Sequence, residues 1–274
     1  MKSISQEPIF IVGYPRSGTT LLQALLSTQK DFISFPETHF FSTLISSIHT
    51  DNNDNIVNKD CINEILQKNI KFINEWKDTI VYKTLYQNNH VNLKKLFESI
   101  VKHYINNSKQ VWIEKTPNHI YMIDIIKYYY PKAKFLFILR NPINAIYSRK
   151  RKLPHDKMRS LELLSQYWIN AIVAYENFKY LYPNQIKLIK YEDLAKNHTR
   201  IVQELESFIN FKTDTNLLEN YNTELNTISH SWEIWKNNNN NKIELQIDYS
   251  LNKDDYQKIT TITFPYMKKY GYIS

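Results

Sequence analysis

The chain has 274 residues, 42% of them hydrophobic and 23% charged, which suits one large α/β unit and excludes a disordered or fibrous chain. Its formal net charge of +8 favours an anionic partner. A single cysteine, Cys61, excludes both an internal disulfide framework and a thiolate metal cluster.

The first element is IFIVG, Ile9–Gly13, whose length and residue types read as a buried strand ending in glycine. After the loop YPRSG comes TTLLQALLSTQ, with Leu21, Leu22, Leu25 and Leu26 on one helical face. DFISF, Asp31–Phe35, is a second strand closed by Pro36, and Thr38–Ile48 is predicted helical. The Asn/Asp-rich stretch His49–Lys59 reads as a surface insertion without Ca²⁺-loop spacing. Amphipathic helices are predicted over Asp60–Trp76 and Val91–Asn106. VWIEK, Val111–Lys115, is strand-like and is followed by a helix over His119–Tyr130.

KFLFIL, Lys134–Leu139, is hydrophobic on both faces and is expected at the centre of a parallel sheet. Arg140 ends it, and Asn144–Lys152 begins the next helix. Ser160–Leu181 is a long amphipathic helix and Gln185–Lys190 a last strand. Helices near Leu194–Ile209 and Lys253–Tyr270 complete the chain, with Asn237–Asn241 read as a loop. Strands alternating with helices, with no repeat and no linker, predict a doubly wound parallel α/β sheet flanked by helices, in a single domain spanning 1–274.

No apolar run approaches the ~18 residues of a membrane span, and MKSISQEPIFIVGY lacks a basic flank followed by a long apolar core, so the expectation is a cytoplasmic protein without a membrane partner. Basic residues are spread along the chain with no Lys/Arg-rich tail, zinc-finger spacing or RNP-like motif, which argues against nucleic acid.

Two of only three glycines, Gly13 and Gly18, bound one loop between strand and helix. Gly13-Tyr14-Pro15-Arg16-Ser17-Gly18-Thr19-Thr20 has the G-x-x-x-x-G spacing that lets backbone N–H groups and a helix N-terminus converge on an anion. A nucleotide triphosphatase needs Lys after the second glycine, where this chain has Thr19. Its cation, Arg16, lies inside the loop, and its strongest strand ends in Arg140 rather than in a Mg²⁺-binding carboxylate. A metal-free, cation-only site suits a group of lower charge, such as a sulfuryl group. Arg140 and Ser148 add a guanidinium and a hydroxyl suited to a second phosphate.

With these segments in place, the sequence resembles the sulfotransferases that use 3′-phosphoadenosine 5′-phosphosulfate (PAPS). GYPRSGTTLL is similar to their 5′-phosphosulfate loop, and FLFILRNPINAIYS to their 3′-phosphate segment. Pro36-Glu37-Thr38-His39-Phe40-Phe41 and Ile113-Glu114-Lys115-Thr116-Pro117 resemble segments of the heparan-type enzymes. Arg16 is closer to the tyrosylprotein type and many bacterial members, and Tyr191-Glu192-Asp193-Leu194 matches a further family segment.

The resemblance implies PAPS as co-substrate, its product PAP (3′-phosphoadenosine 5′-phosphate), and no metal. It makes Glu37 the general base, with His39 the alternative. Because P-E-T is also a good helix start, a capping role for Glu37 stays open. It implies that Arg16 and Lys115 are cations at the reacting group, that Tyr14, Pro15, Ser17, Gly18, Thr19 and Thr20 form the phosphosulfate cradle, and that Arg140 and Ser148 hold the 3′-phosphate. Tyr191 supports the nucleotide or is a core residue. The run Arg149-Lys150-Arg151-Lys152 reads as a solvated helix face, with an added phosphate contact as the alternative. ISHSWEIWK, Ile228–Lys236, lacks the glycine of the family's nucleotide-covering loop, so Trp235 and Lys236 are only candidates for that role. The acceptor is expected to be a small intracellular metabolite bearing a hydroxyl or amine, and nothing in the chain specifies an oligomeric state. A P-loop nucleotide kinase and a non-catalytic polyanion-binding protein remain the alternative readings.

Overall fold

Ile9–Gly13 (β1) is apolar throughout because both of its faces are covered. Phe10 and Val12 point into one hydrophobic cluster and Ile9 and Ile11 into another, the alternation a pleated strand imposes. A computed structural model describes residues 7–44, 56–58, 90–105, 110–152, 159–228 and 252–273. After β1 come α1 (Thr19–Ser27), β2 (Phe32–Ser34), α2 (Phe40–Leu44), β3 (Ile56–Asn58), β4 (His90–Asn92), α3 (Leu93–Ile105) and β5 (Val111–Lys115). A 3₁₀ turn over Pro117–Met122 leads into α4 (Ile123–Tyr129), then β6 (Lys134–Leu139), α5 (Pro142–Lys152), α6 (Leu161–Leu181) and β7 (Ile186–Lys190). The helices α7 (Tyr191–Lys196), α8 (His198–Gln203), α9 (Glu206–Ile209), α10 (Tyr221–Thr227) and α11 (Lys253–Lys269) follow.

The main sheet has five strands in the order β2-β5-β1-β6-β7, and every pairing is parallel. Ile11 stands between Lys115 and Leu136, which fixes the register across the middle. Helices α3 to α6 and α11 contribute to the cluster on one face, and α1 with α7 to α9 to the other. The architecture is the doubly wound, helix-flanked sheet expected from the alternation of elements. Among the described residues β3 and β4 form a separate antiparallel pair.

Several boundaries differ from the sequence reading. The middle strand is β1; β6, though interior and buried, lies between β1 and β7. The helix expected from Thr38 begins only at Phe40, because residues 36–39 are tied to β5 by side-chain hydrogen bonds instead. Val91 and Asn92 lie in a strand, so the following helix starts at Leu93. The expected helix over His119–Tyr130 opens as a 3₁₀ turn with Pro117 at its start. The expected helix over Leu194–Ile209 is three short ones that begin at Tyr191, with Asn197 capping the second by accepting from Arg200 N. Ser160 is the N-cap of α6, accepting from Leu163 N, rather than its first turn. The readings over Asp60–Trp76 and Asn237–Asn241, most of His49–Lys59, and Trp235 and Lys236 lie outside the described residues.

Candidate active site

All of the described candidate residues lie at or beyond the carboxyl ends of parallel strands, where open α/β sheets present their crevices. Gly13 ends β1 where a Cβ would stand 2.5 Å from the Ile138 carbonyl oxygen, so only glycine lets β1 and β6 approach there. The chain then turns through Arg16, which has the left-handed φ of 71°, and reaches Gly18 at the head of α1. Such a φ is uncommon for a residue with a Cβ and marks a backbone held by its surroundings.

The loop and the end of β6 form one constellation. Arg16 Nε donates to Ser148 Oγ at 3.2 Å, and Arg140 Nη1 donates to the Arg16 carbonyl at 3.0 Å. The Arg140 guanidinium lies over the Tyr191 ring, 4.1 Å from its centroid. Tyr191 in turn covers Gly18 so closely that a Cβ would meet its Cδ2 at 2.2 Å. Behind Arg140, Trp168 Nε1 on α6 donates to its carbonyl at 3.0 Å. Arg140 is 5% exposed, yet its Nε and Nη2 have no hydrogen-bond partner among the described residues, and neither has Ser17 Oγ in the loop. Buried donors of this kind are uncommon in a finished structure and are characteristic of ligand sites. Tyr14, Pro15, Ser17 and Thr19 are buried, and Thr20 is half-buried at the start of α1.

A second group forms where β2 and β5 end. Lys115 is fully buried and donates to Glu37 Oε1, while His39 Nε2 lies 3.4 Å from Glu37 Oε2. The capping role left open for Glu37 does not hold, since α2 starts three residues later and the carboxylate engages Lys115. Lys115 is no surface lysine. His39 takes a left-handed φ of 50°. Desolvation lowers its pKa and the Glu37 carboxylate opposes this, the net direction being downward. Because 47% of its side chain is exposed, water tempers the desolvation.

Sequence reasoning missed what lies behind this pair. Glu114 is fully buried, its Oε1 accepting from Thr38 Oγ1 at 2.8 Å, Thr116 Oγ1 at 2.7 Å and Thr38 N at 3.4 Å. Its Oε2 meets His119 Nδ1 at 2.9 Å. Burial would raise the Glu114 pKa, but the His119 ring and the hydrogen bonds from His119, Thr116 and Thr38 outweigh it and hold the carboxyl below its ordinary range. Arg149 also departs from the sequence reading. It is 5% exposed, with its guanidinium over the rings of Tyr14 at 4.9 Å and Tyr167 at 5.4 Å, and so is not part of a solvated face.

The C-terminus braces the same corner. Tyr272 Oη donates to Glu192 Oε2 at 3.2 Å, and Glu192 Oε1 accepts from Asn141 N, beside Arg140, at 2.8 Å. Burial and the neighbouring Glu192 push the Tyr272 hydroxyl far above its ordinary pKa.

A glycine-bounded turn between the middle strand of a parallel sheet and a helix, with cations gathered at the strand ends, defines an α/β protein of the phosphate-loop class. A family model described as the sulfotransferase family matches residues 8–215. The chain belongs to that family. It is similar to the sulfotransferase domain from the curacin biosynthetic pathway (21% identity, TM-score 0.60, 94% of this chain and 98% of that one). It is similar also to the sulfotransferase domain from the Synechococcus PCC 7002 olefin synthase (17%, 0.58, 96% and 98%). A third solved structure, mouse sulfotransferase SULT7A1 complexed with PAP, shares the fold at 12% identity (0.55, 96% and 85%). An uncharacterized protein of Aquifex aeolicus (strain VF5) is 23% identical over 233 residues, 80% of this chain; the chain spans 27% of that relative's length. Among the described residues no helix is long and apolar enough to cross a membrane.

Proposed function

We propose that the chain, acting as one domain, is a PAPS-dependent sulfotransferase whose acceptor is a small metabolite bearing a hydroxyl or amine. The observation that carries this reading is the Arg140 guanidinium, buried on Tyr191 beside the Arg16–Ser148 pair with two nitrogens that have no described partner. Together with Ser17 Oγ, these donors fit an anionic nucleotide with phosphates at both ends. The family match and the PAP complex of the mouse enzyme point the same way.

When bound, PAPS supplies a sulfuryl group bonded to a phosphate that leaves with the electron pair. Residues 14–20, with the N-terminus of α1, hold the phosphosulfate end, and Arg140 with Ser148 holds the 3′-phosphate. Arg16, bonded to Ser148, links the two anion sites and neutralises charge at the reacting end. Glu37 accepts the proton of the acceptor hydroxyl or amine; His39, 3.4 Å away, shares its edge of the site. Lys115, buried against Glu37, orients that carboxylate and adds positive charge where the leaving oxygen develops negative charge. These cations take the place of a metal ion.

Calorimetry of PAP binding in excess chelator, followed by PAPS turnover against a panel of alcohols, phenols and amines, tests the reading. Metal-independent PAP binding and transfer to at least one acceptor are expected. Binding that requires Mg²⁺, with turnover of ATP instead, would make the chain a nucleotide kinase. Salt-sensitive polyanion binding without affinity for PAP would make it a binding protein.

A further inference from the structure

The carboxylate behind the Glu37–Lys115 pair has no role in the chemistry just described. Glu114 precedes Lys115 on β5, so the pleat sends the two side chains to opposite faces, and both are fully buried. A dry carboxylate is costly unless its oxygens are filled, and the three hydrogen-bonding side chains around this one come from the segment that carries the proposed base and from the one that follows its partner Lys115. Thr38 lies between Glu37 and His39; Thr116 follows Lys115; His119 lies in the 3₁₀ turn after it.

We propose that Glu114 is a positioning residue: oriented by His119, it fastens the backbone of residues 38–40 to the end of β5 through Thr38 and Thr116, and so sets Glu37 and His39 against Lys115. The fastening is a relay of named bonds. Thr38 gives Glu114 both its hydroxyl and its backbone N–H. Thr116 spends its hydroxyl proton on Glu114, which leaves the oxygen to accept from His39 N at 3.2 Å. Thr38 Oγ1, likewise committed as a donor to Glu114, accepts from Phe40 N at 3.3 Å at the start of α2. The direction of both hydroxyls is therefore dictated by one carboxylate, since an ionised carboxylate only accepts.

The local backbone needs such a restraint. His39 sits at φ 50°, a conformation that persists in residues with a Cβ only when the surroundings impose it. Its N–H is the one the Thr116 hydroxyl holds. The side chain of Glu37 projects from the same segment, so a relaxed loop would carry the carboxylate away from Lys115. The His119 ring completes the set: with Glu114 held ionised, Nδ1 carries the proton toward Oε2, and the ring is pinned edge-on against Phe41 at 5.4 Å. The relay touches neither the glycine loop nor Arg140.

Its catalytic consequence rests on the sulfuryl-transfer reading above, whereas the loop geometry is testable without any acceptor. Glu114→Ala strands two threonine hydroxyls in a dry site and risks folding, so the decisive variant is Thr116→Val, with Thr116→Ser as its rescue. In Thr116→Val, amide exchange at His39 is expected to rise about ten- to hundredfold, the factor that follows from losing one hydrogen bond in a charged network. PAP affinity should stay within about twofold, and kcat for sulfuryl transfer should fall at an unchanged KM for PAPS, with Ser restoring both exchange and kcat. Glu114→Gln keeps a carbonyl for the two hydroxyls and should fall between wild type and Thr116→Val. Wild-type exchange at His39 in both variants would overturn the proposal, as would raised exchange with undiminished kcat. Should no acceptor be turned over by the wild-type protein, the sulfuryl-transfer reading fails, and the exchange comparison alone still decides the positioning role.

Discussion

Replacing Arg140 with Ala separates binding from stability in a way that a merely structural arginine would not. In the free protein the side chain contributes a stack on Tyr191 at 4.1 Å, worth about 0.5–2 kcal/mol, and a hydrogen bond to the Arg16 carbonyl, worth about 1.5–3 kcal/mol. Against these stand two buried nitrogens with no described partner, each costing about 1–3 kcal/mol. The terms nearly cancel, so the melting temperature of free Arg140→Ala should lie close to that of wild type. PAP binding should respond quite differently. If both nitrogens bond the 3′-phosphate, their loss removes about 3–6 kcal/mol at most, taking 1.5–3 kcal/mol for each bond to a charged group. Calorimetric titration with PAP should therefore show a Kd raised about a hundredfold or more. Arg140→Lys keeps the charge but neither the fork nor the stack, and should fall between the two. A Kd for Arg140→Ala within about threefold of wild type, or a collapse of the free protein, would refute the assignment of the 3′-phosphate to this guanidinium.

Glu37→Gln should lower kcat by about 10²- to 10⁴-fold through loss of the base while PAP affinity changes little; because it deprives buried Lys115 of a carboxylate, the free variant should also melt lower. His39→Ala should retain more activity, and the reverse order would make His39 the base. Tyr272→Phe removes the hydroxyl that braces Glu192 and, through it, Asn141, so PAP titration should show a several-fold weaker Kd with kcat unchanged; equal affinities would detach the C-terminus from the nucleotide end. Glu114, held below its ordinary 4.5, contributes its stability in full above that pH and loses it as acid protonates the folded carboxyl. Melting temperatures of wild type should thus fall more steeply below pH 4.5 than those of Glu114→Gln, and parallel curves would contradict the shift.

The elements read most easily from sequence were those whose cause is local. A run such as Phe135 to Leu139 can be apolar at every position only if both faces are covered, and Gly13 marks where the backbones of β1 and β6 crowd. By strand-end placement in a parallel sheet, Arg16 and the pair Arg140 and Ser148 read as two separate anion sites, whereas the hydrogen bonds that join them into one constellation were not legible. The late start of α2 was hidden because Pro36-Glu37-Thr38 has good helix-start chemistry, which tertiary hydrogen bonds to Glu114 and Thr116 override. Glu114 itself sits in V-W-I-E-K, where a carboxylate looks like the solvent-facing half of an alternating strand; in the fold its position is dry, with Thr38, Thr116 and His119 gathered on it. The sole available signal was the pair of threonines and the histidine within a few positions of the two acidic residues. Arg149 was misread for a similar reason: four basic residues in a row say nothing about which one turns inward to Tyr14 and Tyr167.

The contact between Gly18 and Tyr191 ties two positions distant in sequence into one inherited unit. The ring lies where any side chain at 18 would begin, and the same ring is the platform for Arg140. Substituting Gly18 alone drives a methyl into the ring at a φ of 96° that already disfavours it. Trimming Tyr191 to make room removes the surface on which the arginine rests. Replacing the glycine therefore requires changes at all three positions together, because each single change packs poorly or unseats the guanidinium. Across relatives the three identities should rise and fall as a set: a chain that has lost the aromatic ring at 191 should be the one in which the second loop glycine and the strand-end arginine are both free to vary.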